Sequence, residues 1–261
     1  MNNIEKYLKI LYQTNKYIIK NPSLHVEDSH WKVSKLIPLI NKFLGYIDKD
    51  EINLLDVGGG AGLILKTVSQ FIEKKDSIIV NKYALDLSPS MLEIQKKINP
   101  DLKKALNEDI RKTSLGNKDI DLTLMIDILE HVPTPTKALE EIKRISNFVI
   151  FKVPLDDNLS VRTWNFINKG KPRLRKINVQ GHINIYNFSK LKHQIDKHNG
   201  RVLDFNFSNV HEYFWQSNYY RNNMNIGNKI VNILGTCMFR LSPNFCSHIF
   251  HDFVIVLVKC Y

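Results

Sequence analysis

Leu54-Leu55-Asp56-Val57-Gly58-Gly59-Gly60-Ala61-Gly62 is the stretch of this sequence that decides its fold. It joins a short apolar segment to a loop made mostly of glycine, and helical spacing resumes at Leu63. Glycine lets the backbone turn sharply and approach a ligand more closely than a Cβ would permit, and the N-terminus of the next helix then faces that ligand. The stretch therefore predicts a strand, a ligand-binding loop and a helix.

Two common ligand-binding loops do not fit this stretch. A nicotinamide dinucleotide loop has the pattern G-x-G-x-x-G/A, but counted from Gly58 the third small position is occupied by Leu63. A phosphate-binding Walker loop ends in Gly-Lys followed by Ser or Thr, and no such triplet follows Gly62. The loop is therefore expected to hold a different ligand.

Strands and helices alternate on the C-terminal side of this loop. Ser88-Pro89 supplies an N-cap and a first-turn proline for one helix, and Thr134-Pro135 begins another. The predicted strands span residues 52–57, 78–87, 104–106, 121–126 and 148–153. Such alternation predicts right-handed crossovers and a doubly wound, mostly parallel α/β sheet with helices on both faces.

The C-terminal part departs from this alternation. Residues 201–207 and 251–259 both have strand character and are joined without a simple helical crossover. They are expected to pair as a hairpin, which gives a sheet of about seven strands an antiparallel C-terminal edge strand. The segment between them, 209–250, is predicted to contain a helix over residues 226–239 and to cover the site as a lid.

Four segments in a fixed order resemble the signatures of class I S-adenosylmethionine-dependent methyltransferases. Residues 54–62 are similar to the first signature, and residues 83–88 to the second strand with its terminal acid. Residues 107–110 resemble the adenine-binding segment, and residues 120–132 the fourth strand of the small-molecule branch. The chain is thus identified as a member of that branch, similar to methyltransferase type 11 and ubiquinone-pathway enzymes. The resemblance implies a Rossmann-like fold and S-adenosyl-L-methionine as the methyl donor.

The resemblance also implies which residues hold the methyl donor. Asp86 corresponds to the acid that binds both ribose hydroxyls, with a simple helix cap as the alternative. Asp109 corresponds to the acid that accepts a hydrogen bond from the adenine amino group, with Glu108 as the alternative, and Asp56 contacts the methionine part or fixes the amides of the loop. The predicted cofactor-binding residues are Asp56, Gly58, Gly60, Gly62, Asp86, Leu87, Asp109 and Ile110.

The acceptor side is expected to combine residues 120–132 with residues 181–186, which resemble a segment bordering the acceptor pocket of related enzymes. His182 carries an imidazole that suits a general base towards a hydroxyl or an amine. The predicted catalytic residues are His182, Tyr186, Asp127 and His131. Six cations and no acid lie between Arg162 and Lys176, which suits an anionic group of the acceptor and a solvated loop alike.

Asp127, Glu130 and His131 are spaced so that three possible metal ligands share one face of a helical turn. Some ubiquinone-pathway O-methyltransferases, which this stretch resembles, bind a divalent metal on a similar trio. Many metal-free relatives carry the same Leu-Glu-His-Val. The metal-free alternative is favoured, so no metal ligand is predicted.

With the family in view, the chain is expected to form one domain over residues 1–261. Residues 1–50 are expected to form a helical cap, with one helix over 4–19 and a second over 29–47 bent at Pro38. The remaining parts are a cofactor-binding core over 51–155, an acceptor-side loop and helix over 156–200, and C-terminal strands with their lid over 201–261.

Composition and charge narrow the function. The net charge of +11, from 37 Lys and Arg against 26 Asp and Glu, suits an anionic partner, but joint enrichment in Asn, Ile and Lys is also typical of a codon bias. No Asn-Pro-Pro-Tyr tetrapeptide follows the fourth predicted strand, which disfavours nucleic acid. We expect a small-molecule or a lipid- or sugar-linked acceptor. The alternatives are an RNA or DNA methyltransferase and a binding protein without turnover.

Cellular location is predicted from three further features. The longest apolar run, residues 253–258, is far shorter than the roughly 20 residues that cross a bilayer. The first residues lack an apolar signal core, and the three cysteines form no disulfide or zinc pattern. These features predict a cytoplasmic protein. Residues 226–250 carry enough apolar side chains among Lys229, Arg240 and His248 to lie on a membrane surface.

Overall fold

The computed structural model describes residues 26–261, and the helix predicted over residues 4–19 lies outside them. Its centre is one seven-stranded sheet in the order β3-β2-β1-β4-β5-β7-β6. The strands are β1 Glu51–Val57, β2 Ile79–Leu85, β3 Leu102–Leu106, β4 Ile120–Ile126, β5 Ser146–Pro154, β6 Gly200–Phe207 and β7 Phe253–Cys260. β7 is antiparallel to both neighbours, and the other pairings are parallel. The predicted Rossmann-like sheet is confirmed.

The helices connect the strands much as the sequence predicts. Ser88 caps α3 by accepting a hydrogen bond from the Met91 amide, whereas Thr134 makes no cap bond before α4. The helices of the described residues are α1 Ser29–Leu44, α2 Leu63–Asp76, α3 Pro89–Ile98, α4 Pro135–Ile145, α5 Leu159–Ile167, α6 Lys171–Arg175, α7 Phe188–His198, α8 Val210–Gln216, α9 Asn218–Asn223, α10 Ile226–Leu241 and α11 Pro243–Ile249. A 3-10 turn covers Leu129–His131 and a π-helical turn covers Lys176–Gln180.

Apolar cores cover both faces of the sheet. One core lies under α1 and α2, where Leu36, Phe43 and Leu65 are buried. The other lies under α4 and α7, where Leu139 and Leu191 are buried. A parallel strand covered on both faces has no solvent side, so it reads as a continuous apolar run. This explains why every residue of β4 is buried.

β7 lies one position inside the edge of the sheet. The predicted C-terminal strand pair is present, but β7 is inserted between β5 and β6, so β6 and not the antiparallel strand takes the edge. The side chains of residues 254–258 are all buried, whereas those of β6 are mostly half-exposed. An apolar strand at the edge would expose unpaired backbone and apolar surface together, so the more polar β6 suits that place.

The segment 209–250 is mostly helical and includes the predicted helix, which extends over Ile226–Leu241. Within it α8 packs on α10 and α10 on α11, and α11 also contacts α5. None of the described helices combines the length and hydropathy needed to cross a bilayer.

Replacing Ile255 by Ala in β7 is expected to lower the free energy of unfolding by about 2–5 kcal/mol, because this side chain is fully buried. Ile79→Ala is the matched control, since Ile79 at the start of β2 is 62% exposed and its loss should cost less than about 0.5 kcal/mol. Urea denaturation measures both. Equal losses would contradict the internal position of β7.

Candidate active site

A cavity of about 850 Å³ opens at the carboxyl ends of the central parallel strands. β1 and β4 are neighbours there, and the chain continues from β1 to β2 on one side and from β4 to β5 on the other. Open α/β sheets bind ligands at the point where the strand order reverses in this way. Two of the predicted site residues, Gly62 and Tyr186, are absent from the cavity wall. The predicted site residues that line it are Asp56, Gly58, Gly60, Asp86, Leu87, Asp109, Ile110, Asp127, His131 and His182.

The glycine loop after β1 presents bare backbone to the cavity. Gly58 and Gly60 have φ angles of +64° and +55°, a region that residues with a Cβ rarely adopt. A Cβ on Gly58 would lie 2.3 Å from the Ile128 side chain. The Gly58 N–H donates to the carbonyl of Leu85 at 2.7 Å, which ties the loop to β2. The loop can therefore approach a ligand closely.

Gly62, one of the predicted cofactor-binding residues, shapes this loop but does not line the cavity. It precedes α2 with a φ of +81°. Its carbonyl accepts a hydrogen bond from the Asn99 side chain at 3.0 Å, and a Cβ on Gly62 would lie 2.7 Å from that same amide. Gly62 is a glycine because the loop packs tightly on the end of α3.

Asp56 lies beneath the loop. Its side chain is buried, and its Oδ2 has no hydrogen-bond partner among the described residues. Burial raises the pKa of Asp56 to about 7, and the nearby Asp86 carboxylate adds to the shift. A Cβ on Gly59 would overlap the Asp56 carboxylate, so the loop rests directly on this side chain. A buried carboxylate without a partner is costly, so Asp56 suits a cationic or hydrogen-bond-donating ligand group.

Asp86 ends β2 at the cavity wall, next to Leu87. Its Oδ1 accepts the Ser88 N–H at 2.8 Å, and burial raises its pKa to about 6. The Asn107 side chain donates to the Asp86 carbonyl at 2.9 Å, which fixes the turn. An ionised carboxylate offers several acceptor positions, so Asp86 is placed to accept hydrogen bonds from neighbouring hydroxyls of a ligand.

Asp109 and Ile110 follow β3 and line the same end of the cavity. The Arg111 guanidinium lies 2.7 Å from Asp109 Oδ2, and the Arg111 N–H donates to Oδ1 at 2.9 Å. Glu108, the alternative acid, accepts from the Ser114 hydroxyl at 2.7 Å. Arg111 therefore orients Asp109. The sequence does not identify Arg111 as a site residue, because an irregular turn has no periodic pattern of side chains.

Asp127 is held between two lysines. It follows β4 with a φ of +56°, and its carboxylate contacts Lys152 Nζ and, at 3.1 Å, Lys32 Nζ. Burial works to raise the pKa of Asp127, but the charges of Lys152 and Lys32 outweigh it and hold the pKa well below its usual range. Asp127 therefore anchors two cations at the cavity wall, and it is not part of the group of possible metal ligands that contains Glu130 and His131.

Neither lysine is singled out by the sequence analysis. Lys152 lies inside β5 and is fully buried. Burial lowers its pKa, and the Phe253 ring centroid lies 3.5 Å from its Nζ. Lys32 of α1 also pairs with Asp28 at 3.1 Å; burial lowers its pKa, but Asp127 and Asp28 raise it overall. A lysine in the middle of an apolar strand is the signal that could have found Lys152.

A second buried carboxylate, Asp156, lies just after β5. Its Oδ2 is 3.2 Å from His182 Nδ1, its Oδ1 is 3.1 Å from His251 Nδ1, and Lys176 also contacts it. Burial works to raise the pKa of Asp156, but His182, His251 and Lys176 together hold it far below its usual range. These groups come from separate segments, so the sequence does not indicate that they meet.

The tautomer of His182 follows from this contact. An ionised carboxylate only accepts hydrogen bonds, and Asp156 is ionised at neutral pH because its pKa is lowered. Nδ1 of His182 therefore carries the hydrogen that Asp156 accepts. In the neutral ring this leaves Nε2 as the basic nitrogen, so the predicted general base has the tautomer that its role requires.

His182 stands beside His131 and Glu130. The two imidazole rings are perpendicular with centroids 4.8 Å apart, and one ligand atom from each of the three residues lies within 4.8 Å of the others. Glu130 is buried, and burial and the Asp127 charge raise its pKa well above its usual range. If a divalent metal were bound in this part of the chain, these three residues and not Asp127 would be its ligands.

Tyr186 lies in the core instead of the cavity wall, which corrects its predicted position. It is fully buried in the core under α7, and its hydroxyl has no hydrogen-bond partner among the described residues. Burial raises the pKa of Tyr186 above its usual range, and the nearby Glu130 adds to the shift. The chain leaves the cavity after His182 and enters the core, so the two residues do not share a surface.

Aromatic side chains line one part of the cavity. Trp31 of α1 stacks on Tyr213 of α8 with ring centroids 4.4 Å apart, and the Phe253 ring lies 6.2 Å from Trp31. Phe214 and Tyr220 line the same end of the cavity. Such a wall favours a ligand with an apolar part.

The sequence profile of a family described as a methyltransferase domain matches residues 29–204. The search of curated proteins found no matching sequence.

Solved structures share the fold at low identity. Geranyl diphosphate C-methyltransferase from Streptomyces coelicolor A3(2), with Mg²⁺, geranyl diphosphate and S-adenosyl-L-homocysteine, is 9% identical with a TM-score of 0.56, over 86% of this chain and 80% of its own. The [4+2]-cyclase SpnF is 12% identical with a TM-score of 0.52, over 85% and 79%. Haemonchus contortus phosphoethanolamine N-methyltransferase 2 is 12% identical with a TM-score of 0.52, over 85% and 52%. At these identities the likeness concerns the fold alone.

Asp56→Asn is expected to raise the free energy of unfolding by about 4 kcal/mol at about pH 8, and the gain should vanish towards about pH 4. The pKa of Asp56 rises from its ordinary 3.8 to about 7, so ionising it in the folded protein costs about 1.4 kcal/mol for each pH unit between these values. Denaturation across this pH range measures the gain. Asp76→Asn at the exposed end of α2 is the control, and a gain independent of pH would contradict the assignment.

Proposed function

Because the chain belongs to the methyltransferase-domain family, whose methyl donor is S-adenosylmethionine, we propose that it methylates a hydroxyl or an amine of a small or lipid-linked acceptor. The observation that carries the proposal is that one cavity is lined by both Asp86 and His182. The first residue suits the nucleoside part of the donor, and the second suits deprotonation of the acceptor.

The cofactor end would be formed by the residues that follow β1, β2 and β3. Asp86 would accept hydrogen bonds from the ribose hydroxyls, and the backbone of Gly58 and Gly60 would lie along the donor. Asp109, oriented by Arg111, and Ile110 would hold the adenine. When bound, S-adenosylmethionine supplies a methyl group that its sulfonium already activates. The buried Asp56 carboxylate, with its unpartnered oxygen, suits the donor's cationic amino acid part.

At the acceptor end His182 would remove the proton of the attacking group. Asp156 orients the ring through Nδ1, which leaves Nε2 as the proton acceptor and stabilises the imidazolium that forms. Lys176 and His251 contact Oδ1 of Asp156, the oxygen that does not face His182. The carboxylate therefore remains a fixed, ionised partner of His182. The protein's contribution is then to place the nucleophile and take its proton at one nitrogen.

The acceptor is proposed to combine an apolar part with the reacting group. The support is the aromatic wall of Trp31, Tyr213 and Phe253, beside which the lysine charges are neutralised by Asp28 and Asp127. A wall of this kind gives no reason to prefer a highly charged polymer such as nucleic acid. An uncharged or weakly charged amphiphile fits better.

The division of the chain follows this assignment. We keep residues 51–155 as the cofactor-binding part, residues 156–200 as the acceptor-side part and residues 209–250 as a lid. The stack of Trp31 on Tyr213 joins the lid to α1 above the cavity and would help to exclude water.

We also propose a cytoplasmic location with contact to a membrane surface. Cys237, Cys246 and Cys260 are free thiols, which is usual in a reducing compartment.

The activity itself is tested by incubating the protein with S-adenosylmethionine and a panel of long-chain phenols, alcohols and amines. S-adenosylhomocysteine that forms only with an acceptor present supports the proposal. Release with RNA alone would favour the nucleic acid alternative, and binding of the donor without turnover on any acceptor would favour a binding protein.

Asp86→Ala is expected to weaken S-adenosylmethionine binding by about 1.5–3 kcal/mol, the range for lost hydrogen bonds to a charged group. Calorimetric titration measures the dissociation constant. Asp76→Ala removes an exposed carboxylate from α2 and should leave the affinity unchanged. A folded Asp86→Ala variant with the parent affinity would refute the assignment.

His182→Ala is expected to lower kcat by about 10²–10⁴, the usual contribution of a general base, with little change in donor affinity. His198→Ala is the matched control, because His198 also pairs with a carboxylate, Glu140 at 3.0 Å, but at the surface and away from the cavity. Steady-state rates and donor titrations of both variants separate chemistry from binding. Undiminished kcat in His182→Ala would show that another group takes the proton.

A further inference from the structure

Helix α10 packs on the protein with its polar side and turns its apolar side outward. Over Ile226–Leu241 the buried residues are Asn232 and Gly235. Asn232 Oδ1 lies 2.8 Å from His211 Nδ1, and a Cβ on Gly235 would lie 2.5 Å from that same ring. The buried side of α10 is therefore narrow, and a polar contact between Asn232 and His211 fixes the helix to α8.

The outward side of α10 is an apolar stripe. Its members recur at helical spacing, which places them on one side of the helix. A surface helix normally directs such a stripe to the core, so its exposure here indicates an interaction surface. The stripe consists of Ile226, Ile230, Ile233, Leu234 and Leu241, with exposed fractions of 76%, 53%, 45%, 54% and 88%.

A second group of exposed apolar side chains lies on α5 and α6, neither of which has a buried residue. α11 contacts both α5 and α10 and joins the two groups, with Phe245 57% exposed between them. We call the exposed apolar side chains of α5, α6, α10 and α11 the apolar face. On α5 and α6 they are Leu159, Trp164, Phe166, Ile167 and Leu174.

The segments that carry the apolar face contain cations and no acid, although Arg162 and Arg240 pair with Asp157 and Glu212 from neighbouring segments. Neither residues 159–180 nor residues 226–250 contain an Asp or a Glu. Lys169, Lys171 and Arg175 are exposed within the first segment. Two copies of the face would bring these cations together, which disfavours self-association. Apolar and aromatic side chains beside the exposed cations of residues 169–175 instead match a bilayer interface with anionic head groups.

We propose that the apolar face docks the protein on an anionic phospholipid bilayer, with α10 lying in the plane of the interface. The segment that carries the cations continues into Lys176 and Val179, which line the cavity. Docking therefore places the cavity beside the lipid. This extends the proposed function, but binding to vesicles requires neither donor nor acceptor, so the two proposals fail separately.

Flotation of the full chain with vesicles tests the proposal. We expect binding to vesicles of phosphatidylcholine mixed with phosphatidylglycerol, weaker binding to phosphatidylcholine alone, and weakening by salt. Lys169→Ala with Lys171→Ala should lower the partition coefficient about fivefold for each charge removed. Leu234→Glu, which places a carboxylate in the apolar stripe, should abolish binding.

Two control variants match these changes elsewhere on the surface. Lys74→Ala with Lys97→Ala removes two exposed lysines of α2 and α3, and Ile79→Glu places a carboxylate at an isoleucine that is 62% exposed. Both should bind like the parent. The proposal is overturned if the parent floats with neither vesicle or if the controls lose as much binding. It is also overturned if sedimentation shows a dimer that Leu234→Glu dissociates, since the face would then join two copies of the chain.

Discussion

An ammonium group that has no access to water determines the geometry of the acceptor end. Lys152 lies inside a central strand and is fully buried, and a buried charge is tolerated only with a well-placed partner. Asp127 supplies that partner from the turn after β4, and it bonds Lys32 of α1 with its other oxygen. One carboxylate thereby sets the position of α1, β5 and the turn that carries Glu130 and His131.

The same principle explains why the carboxyl groups of the cavity differ. Asp156 meets two imidazoles and an ammonium group and stays ionised. Asp56 and Asp86 lack such partners, so burial raises their pKa values to about 7 and about 6. The acceptor end thus has fixed charges that are already paired. The proposed cofactor end has buried acids without a cationic partner in the described residues, which suits a cationic, hydroxyl-rich donor.

The fold, and the strand ends that meet at the cavity, were predictable because their signals are local. A strand, its glycine loop and the acid after the next strand lie within short stretches of sequence. A strand that is buried on both faces is recognised as a continuous apolar run. The acceptor end was only partly predictable. Lys32, Lys152 with Asp156, and His251 come from three separate segments, and only the folded chain brings them together. Gly62 and Tyr186 were predicted at the site but do not line the cavity, because a motif shows that a residue is near a site without showing which way it faces.

The insertion of β7 between β5 and β6 has a consequence for synthesis on the ribosome. β6 precedes β7 in the chain, but among the described strands it pairs with β7 alone, so none of these strands can pair with it until residues 209–250 have been made. Until β7 is made, the edge of β5 that later pairs with β7 is also unpaired. Strand pairs between residues far apart in the sequence form late in folding. Until they form, the nascent chain exposes unpaired strand edges. Pairing of β7, Phe253–Cys260, with both β5 and β6 is thus the step that joins the two strands on either side of it.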